Sequence, residues 1–307
     1  MARGPDAVGD PVPETSGVTP VPALGVCFTP DMAPETLVHL ARTVETAGLD
    51  ELWVWEDCFK QSGIASAAVA LASTTRIKVG IGLMPTPLRN VALTAMEVAT
   101  LARAFPGRLM PGIGHGVQEW MGQVGARPKS PLRLLEEYAA ALRGLLAGET
   151  VTTDGAYVHL EDVRLEWPPS PPPLLHVGGA GPRSVDLAAR VGDAYLGPCA
   201  WTDARIADVS AQLTAVRGIG HPFVYSEIVA VGERAQERVD ADLPRWGGEP
   251  GQGVGTAGDD PGVFVETVRR LAGLGVTNLV FQPVGDEPDL DGLITFLGGV
   301  RSALHEG

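Results

Sequence analysis

Val177-Gly178-Gly179-Ala180-Gly181-Pro182-Arg183-Ser184 is a strand that empties through glycines into a helix begun by proline. Glycines let the backbone approach an oxyanion closely, Pro182 suits the first helical turn where no amide donor is needed, and a helix amino end carries partial positive charge. The stretch reads as an anion site, a phosphate above all. A tight strand-to-helix turn without a ligand would use the same residues. Strand-ending motifs of this kind recur on both sides, and the recurrence decides the fold.

Upstream, Leu24 to Phe28 reads as a buried strand. The helix after it starts at Pro34, turns Leu37, Leu40, Ala41 and Val44 to one face and stops at Gly48. The pattern repeats with a strand from Glu51 to Trp55 and a helix from Ile64 to Ala72, then a strand from Ile77 to Leu83 and a helix from Asn90, a good N-cap, to Ala104. A fourth strand covers Arg108 to Ile113, and Ser130-Pro131 caps a long helix that ends at Gly148. Residues 150–173 break the rhythm: Val151-Thr152-Thr153 and Ala156-Tyr157-Val158 flank Asp154-Gly155 as a hairpin, and a proline run follows.

Downstream, alternation resumes with Leu174 to Val177 and the helix from Pro182 to Val191, then Ala194-Tyr195-Leu196 and a helix over 203–217. Phe223 to Val231 and Val276 to Gln282 are the last strands, with a glycine-rich loop at Gly247 to Gly258, a helix starting at Asp260-Pro261 and a final helix over 289–304. Eight strands, each followed by a helix, predict an α/β fold closed as a (β/α)8 TIM barrel with insertions, rather than a doubly wound sheet. The barrel is expected to be one domain over residues 23–307, preceded by a disordered tail over residues 1–22.

With 307 residues and 45% hydrophobic content, the chain can bury a sizeable core. Its 37 acidic against 23 basic residues, a formal charge of −14, argue against nucleic acid or an anionic membrane as partner and favour a small molecule. No apolar run approaches the roughly 20 residues of a membrane span. The first 22 residues lack the basic start and apolar stretch of a secretion signal. Cys27, Cys58 and Cys199 are odd in number and far apart, which disfavours disulfides and fits a reducing cytoplasm.

In such a barrel the active site lies at the carboxyl ends of the strands. The residues there are Cys27-Phe28-Thr29, Trp55-Glu56-Asp57-Cys58, Gly82-Leu83-Met84-Pro85, Gly112 to Gly116, His176 to Gly181, Gly197-Pro198-Cys199 and Gln282-Pro283. The cysteine spacings match no short-range zinc pattern, so no metal is expected. Asp57 beside Cys58 would raise a thiol pKa, so the cysteines read as small pocket lining, Cys199 among them. His115, between Gly114 and Gly116, is the catalytic candidate: glycines clear room for a planar ligand while the imidazole exchanges a proton or hydrogen bond. A loop histidine with only a hydrogen-bonding role fits the same spacing. His176 is close to the rim but is expected to alternate with the inward residues of its strand, and His39, His159, His221 and His305 read as structural or solvated. Glu56 and Asp57 point differently and need not form an acid/base pair, although one is expected to touch the ligand. Trp53, Trp55 and Trp120 could cover an aromatic cofactor or simply fill core.

Ala47 to Trp53, Arg76 to Gly82, Pro106 to Gly116 and Val177 to Arg183, in this order, resemble the luciferase-like monooxygenase superfamily, especially its deazaflavin (coenzyme F420)-dependent branch, from about Leu24 to Leu304. The resemblance implies a flavin or deazaflavin ring over the carboxyl face, its phosphate at Gly178, Gly179, Ala180, Gly181 and Pro182 with Arg183 beside it, and a homodimer. It further implies a bulge with a non-proline cis peptide at Gly82-Leu83 behind the ring, and cofactor contacts from Asp57, Gly82, Leu83, Met84, Gly114, His115, Gly116 and Cys199. Relatives acting on sugar phosphates, alcohols or folate-like substrates carry His and an acid where this chain has Cys58 and Val117, and some have Glu where it has Cys27. Their acid/base residues therefore do not carry over. The resemblance implies hydride transfer between coenzyme F420 and a small organic substrate with an activated C=C, C=N or carbonyl. The alternative is an FMN-dependent monooxygenase using reduced flavin and oxygen. A lyase or isomerase barrel would need a Schiff-base lysine or acidic metal ligands, and Lys60, Lys78 and Lys129 are poorly placed for that. Segments around Trp120 to Pro128 and Trp246 to Gly255 are the candidate closing loops.

Overall fold

The computed structural model describes residues 20–306, so most of the tail expected over residues 1–22 lies outside the described residues. Eight parallel strands form a ring: β1 (Ala23–Phe28), β2 (Glu51–Val54), β3 (Lys78–Pro85), β4 (Leu109–Gly114), β5 (His176–Gly178), β6 (Ala194–Leu196), β7 (Phe223–Ala230) and β8 (Asn278–Pro283). Neighbours in sequence are neighbours in the sheet. The ring closes where β8 pairs with β1 through Ala23↔Asn278 to Val26↔Phe281. Helices connect the strands and cover the outside, as the alternating sequence requires of a parallel sheet buried on both faces.

The local signals work through short contacts. Leu37, Leu40, Ala41 and Val44 are the buried face of the first helix, which Gly48 ends with φ +80. The Asn90 and Asp260 side chains accept from the amides of Ala92 and Gly262 as helix caps. Ser130 departs from expectation. Its side chain makes no cap bond, and its backbone N–H donates instead to Tyr157 Oη at 2.7 Å.

The inserted hairpin also shifts. Its strands are Val151–Asp154 and His159–Val163, with Asp154 opposite His159, so the second begins after the segment the sequence suggested. The reason is long-range. Glu137, on the helix Pro131–Leu146, accepts the backbone N–H groups of Ala156, Tyr157 and Val158 at 3.0, 2.8 and 3.2 Å, which holds them in the turn. Although some burial opposes it, these bonds and Arg133 bring the Glu137 carboxyl down to about 2.

Inside the barrel, Trp53 occupies the axis and is almost fully buried. A Cβ on Gly80 would lie 2.4 Å from its ring, so the neighbouring strand needs glycine there. The indole N–H donates to Glu51 at 2.8 Å, and Asn278 donates to the other carboxylate oxygen at 2.6 Å. His176 is not a rim residue. It opens β5 at the amino-terminal side and stands edge-on to Trp53 at 5.6 Å, inside the barrel.

Burial brings the His176 pKa down to about 4, against the partial support of nearby carbonyls. Above pH 6.5 the ring is neutral in both states. Below it the unfolded chain takes up a proton that the fold refuses, so stability falls as pH drops from about 6.5 to about 4, by roughly 3 kcal/mol. Denaturant unfolding of wild type and His176→Gln across that window is expected to show this extra loss in wild type only.

Candidate functional site

A cavity of about 300 Å³ opens at the carboxyl rim above Trp53. Trp55, Trp246, Leu83, Leu196 and Val280 supply its apolar walls, Ser226, Cys199 and Gln282 its polar groups, and none of its lining residues is charged. Leu83 reaches it because the β3–β4 register shifts between Ile81 and Met84. The Gly82–Leu83 peptide is cis, as the resemblance implied, and so is Cys58–Phe59, which nothing in the sequence announced. Leu83 packs across the neighbouring strands: a Cβ on Gly114 or Gly178 would lie 2.5 or 2.7 Å from its Cδ2. Met84 is fully buried in the core that packs beneath the helices, away from the cavity lining.

The glycine loop borders the same cavity through Gly179 and Ala180. Its carbonyls are tied back one by one. Tyr195 Oη donates to Gly179 O at 2.6 Å, Arg205 Nη2 to Ala180 O at 2.9 Å and Gln212 Nε2 to Pro182 O at 2.9 Å, while Gly181 O accepts from the amides of Ser184 and Val185. In a trans peptide the N–H points opposite to the C=O. Holding these carbonyls on one side therefore turns the Ala180 and Gly181 amides to the other, at the start of the helix Pro182–Val191. A Cβ on Gly179 would meet Ser184 Cβ at 2.5 Å, so the close approach depends on glycine. Arg183 is exposed on the first turn of this helix.

His115, on the loop after β4, packs against the glycine loop and does not line the cavity. Its Nδ1 lies 2.9 Å from Gly116 O, so Nδ1 carries the proton, and Nε2 turns to Ser184 Oγ at 3.5 Å. Gly116, with φ +66, makes the turn that aims it. Asp57 is half-buried next to Lys60 and Asp31 and does not line the cavity. Burial raises its pKa, with Lys60 opposing. Glu56 is committed elsewhere, accepting from Arg89 at 2.5 Å and from the Gly63 amide at 2.9 Å, so the two adjacent carboxylates form no acid/base pair.

All three cysteines are free thiols. Burial pushes Cys199 up to about 12 and raises Cys27 and Cys58, the last with help from Glu56 and Asp57, which leaves all three poor nucleophiles. Cys199 lines the cavity and Cys27 packs beside Trp53. Among the described residues no three His, Cys, Asp or Glu side chains converge as metal ligands.

Trp246 closes one side. It ends the short turn Leu243–Trp246, stands edge-on to Trp55 at 5.4 Å and donates its indole N–H to Asp242 at 2.8 Å. Arg245 covers the Trp246 ring and pairs with Asp31, which Lys60 also engages. Burial works against the Asp31 carboxylate, but these two partners hold its pKa below the ordinary value. The sequence pointed to this loop as a closing segment, yet not to Asp31, its anchor more than two hundred residues away. The other suggested segment, Trp120 to Pro128, contributes no residue to the cavity lining; Val117 just before it does, while Trp120 stays on the short helix Gln118–Gln123.

Barrel, rim cavity and glycine loop together define an α/β barrel whose carboxyl rim joins an uncharged cavity to a glycine-rich helix start. The family model for luciferase-like monooxygenase matches residues 14–268, and the chain belongs to that family. It is 30% identical over 172 residues to the 5,10-methylenetetrahydromethanopterin reductase of Methanolobus tindarius, covering 56% of this chain and 52% of that protein. The chain thus spans about half the length of that relative. It is 28% identical over 255 residues to the F420-dependent hydroxymycolic acid dehydrogenase of Mycobacterium tuberculosis, covering 76% of this chain and 69% of that one. The structure of an F420-dependent secondary alcohol dehydrogenase in complex with an F420-acetone adduct superposes with TM-score 0.79 over 92% of this chain and 99% of that chain, at 19% identity, a likeness of fold.

Exposed ion pairs contribute about 0.2–1 kcal/mol each. Asp31→Asn, which removes the anchor shared by Lys60 and Arg245, is therefore expected to raise amide hydrogen exchange over residues 243–255 severalfold, about threefold to tenfold, with the barrel strands unchanged.

Proposed function

We propose that the chain is an oxidoreductase that transfers a hydride between coenzyme F420 and a small organic substrate carrying an activated C=C, C=N or carbonyl group. One observation carries the reading: the apolar rim cavity and the glycine loop with tied-back carbonyls are continuous through Gly179 and Ala180. A flat ring and its phosphorylated arm need that continuity. The F420-dependent hydroxymycolic acid dehydrogenase among the similar proteins supports the choice of cofactor. The glycine cradle fits the group, because a Cβ at Gly179 would fill the space beside Ser184.

Coenzyme F420, when bound, supplies the two-electron hydride chemistry. Gly178, Gly179, Ala180, Gly181 and Pro182 would hold the phosphate, with Arg183 adding charge from the first helical turn. His115 Nε2 and Ser184 Oγ would hydrogen-bond the arm or the substrate. Gly82 and Leu83 would back the ring, Gly114 giving Leu83 the room it fills and Gly116, at positive φ, turning the chain beside it. Met84 would support that bulge from the core, Asp57, beside Lys60 and Arg245 outside the cavity lining, would act on the ring only through charge, and Cys199 would contribute a neutral thiol. Trp246 and Trp55 exclude water by closing the mouth, which strengthens every polar contact inside.

A homodimer in the cytoplasm is part of the same reading. The helix Gly63–Ser73 carries no charged residue and leaves Val69 42% exposed, while Leu93 and Met96 of the next helix are 44% and 53% exposed. An uncharged surface helix favours burial against a partner. The three free thiols fit a reducing compartment. No helix among the described residues is long and apolar enough to cross a membrane.

Titration of the purified chain with coenzyme F420 and with FMN, followed by fluorescence quenching, is expected to give saturable binding of F420. Binding of FMN alone would overturn the cofactor assignment in favour of oxygen-using flavin chemistry. Gly179→Asp, which sets a carboxylate against the phosphate and a Cβ against Ser184, is expected to abolish that binding. His115→Ala is expected to weaken F420 affinity about tenfold, about 1.4 kcal/mol. Unchanged affinity and turnover in that variant would make the imidazole a bystander.

A further inference from the structure

Two of the three indole N–H groups around the rim cavity are already spent: Trp53 donates to Glu51 and Trp246 to Asp242, each at 2.8 Å, so these two rings present hydrocarbon and π surface. Gln282 is different. It lies near the end of β8 with 0% of its surface exposed, and neither its Nε2 nor its Oε1 has a hydrogen-bond partner among the described residues. A carboxamide buried with donor and acceptor both unpaired is destabilising unless something arrives to meet it. The neighbouring Cys199 thiol is a weak partner, and Ser226 opens on the same space from the adjacent strand, level with Val280 one pleat below.

We infer that Gln282 is the specificity-determining residue of this cavity, and that it selects an uncharged, flat substrate that presents a lactam edge, N–H beside C=O, to its carboxamide. A carboxamide and a lactam edge are complementary in one plane, so two hydrogen bonds close a ring between them. A ketone would satisfy the donor alone. A phosphate or carboxylate would bring charge to a lining that holds no countercharge. The amide lies just under the cavity surface, and the rotatable bonds of Gln282 let it swing into the 300 Å³ space as the ligand enters. Resting on the proposed hydride transfer, the same contact has a chemical use: an N–H donated to the lactam carbonyl withdraws electrons from a conjugated C=C, the bond to be reduced. The dione edge of the deazaflavin ring carries the same N–H and C=O pattern, so substrate and cofactor must be told apart.

The full-length chain and its Gln282→Leu variant are titrated with 5,6-dihydropyridin-2(1H)-one, an unsaturated lactam, and with 2-cyclohexen-1-one, its ketone counterpart. Tryptophan fluorescence reads binding, F420 affinity is measured separately, and thermal unfolding reads stability. Wild type is expected to bind the lactam about tenfold more tightly than the ketone. The variant is expected to lose that preference, to keep its F420 affinity within about twofold, and to unfold at the same or a higher temperature, because hydrocarbon replaces an unpaired buried amide. Equal affinity of wild type for the two probes overturns the inference without needing the variant. So does a preference retained by Gln282→Leu, or by Gln282→Met where the leucine form does not fold. An F420 affinity about tenfold weaker in the variant would assign the amide to the cofactor ring and not to the substrate. Failure of wild type to bind F420 would sink the proposed function while leaving the lactam preference measurable.

Discussion

Trp53 plugs the middle of the barrel, and the rest of the site is arranged around that plug. A ring of this size fits the axis only because the adjoining strand offers Gly80, whose missing Cβ is the space the indole fills. Below it, Glu51, Asn278 and His176 satisfy or abut the ring. Above it the axis is free, and the strand ends can build a cavity there. A closed ring of eight strands is normally packed through its interior. Here the packing stops one layer short of the rim.

What lines that layer follows from two close approaches. Leu83, thrown inward where the β3–β4 register shifts, rests on Gly114 and Gly178 and forms a smooth apolar back wall. Beside it, the glycine loop is stiffened by Tyr195, Arg205 and Gln212, each of which takes a carbonyl and so turns the amides toward the open side. One half of the site is a neutral slot and the other an amide-lined cradle.

Much of this was legible along the chain. The alternation of short apolar runs with helical periodicity named all eight strands, because each element is specified by its own residues. The Val177–Ser184 stretch declared its turn for the same reason: glycine, proline and a following apolar face act over a few residues. Errors arose where a distant group intervened. Glu137 moved the hairpin turn by capping three amides, Tyr157 took the backbone N–H of Ser130, whose side chain makes no cap bond, and His115 turned toward Ser184 when the sequence offered no way to tell the loop side from the cavity side.

Taken alone, the sequence determined the class of fold, the parallel order of the strands, the glycine turn before Pro182 and most of the residues at the rim, since these depend on period, punctuation and chain order. Only closure of the barrel decided which rim residues share a cavity. It paired Asp31 with Arg245, laid Trp246 across Trp55, brought Tyr195 and Arg205 behind the glycine loop, and buried Gln282 with its amide unpaired. Those contacts join residues far apart in the chain, and their energy exists only once the ring is shut, so no local pattern records them.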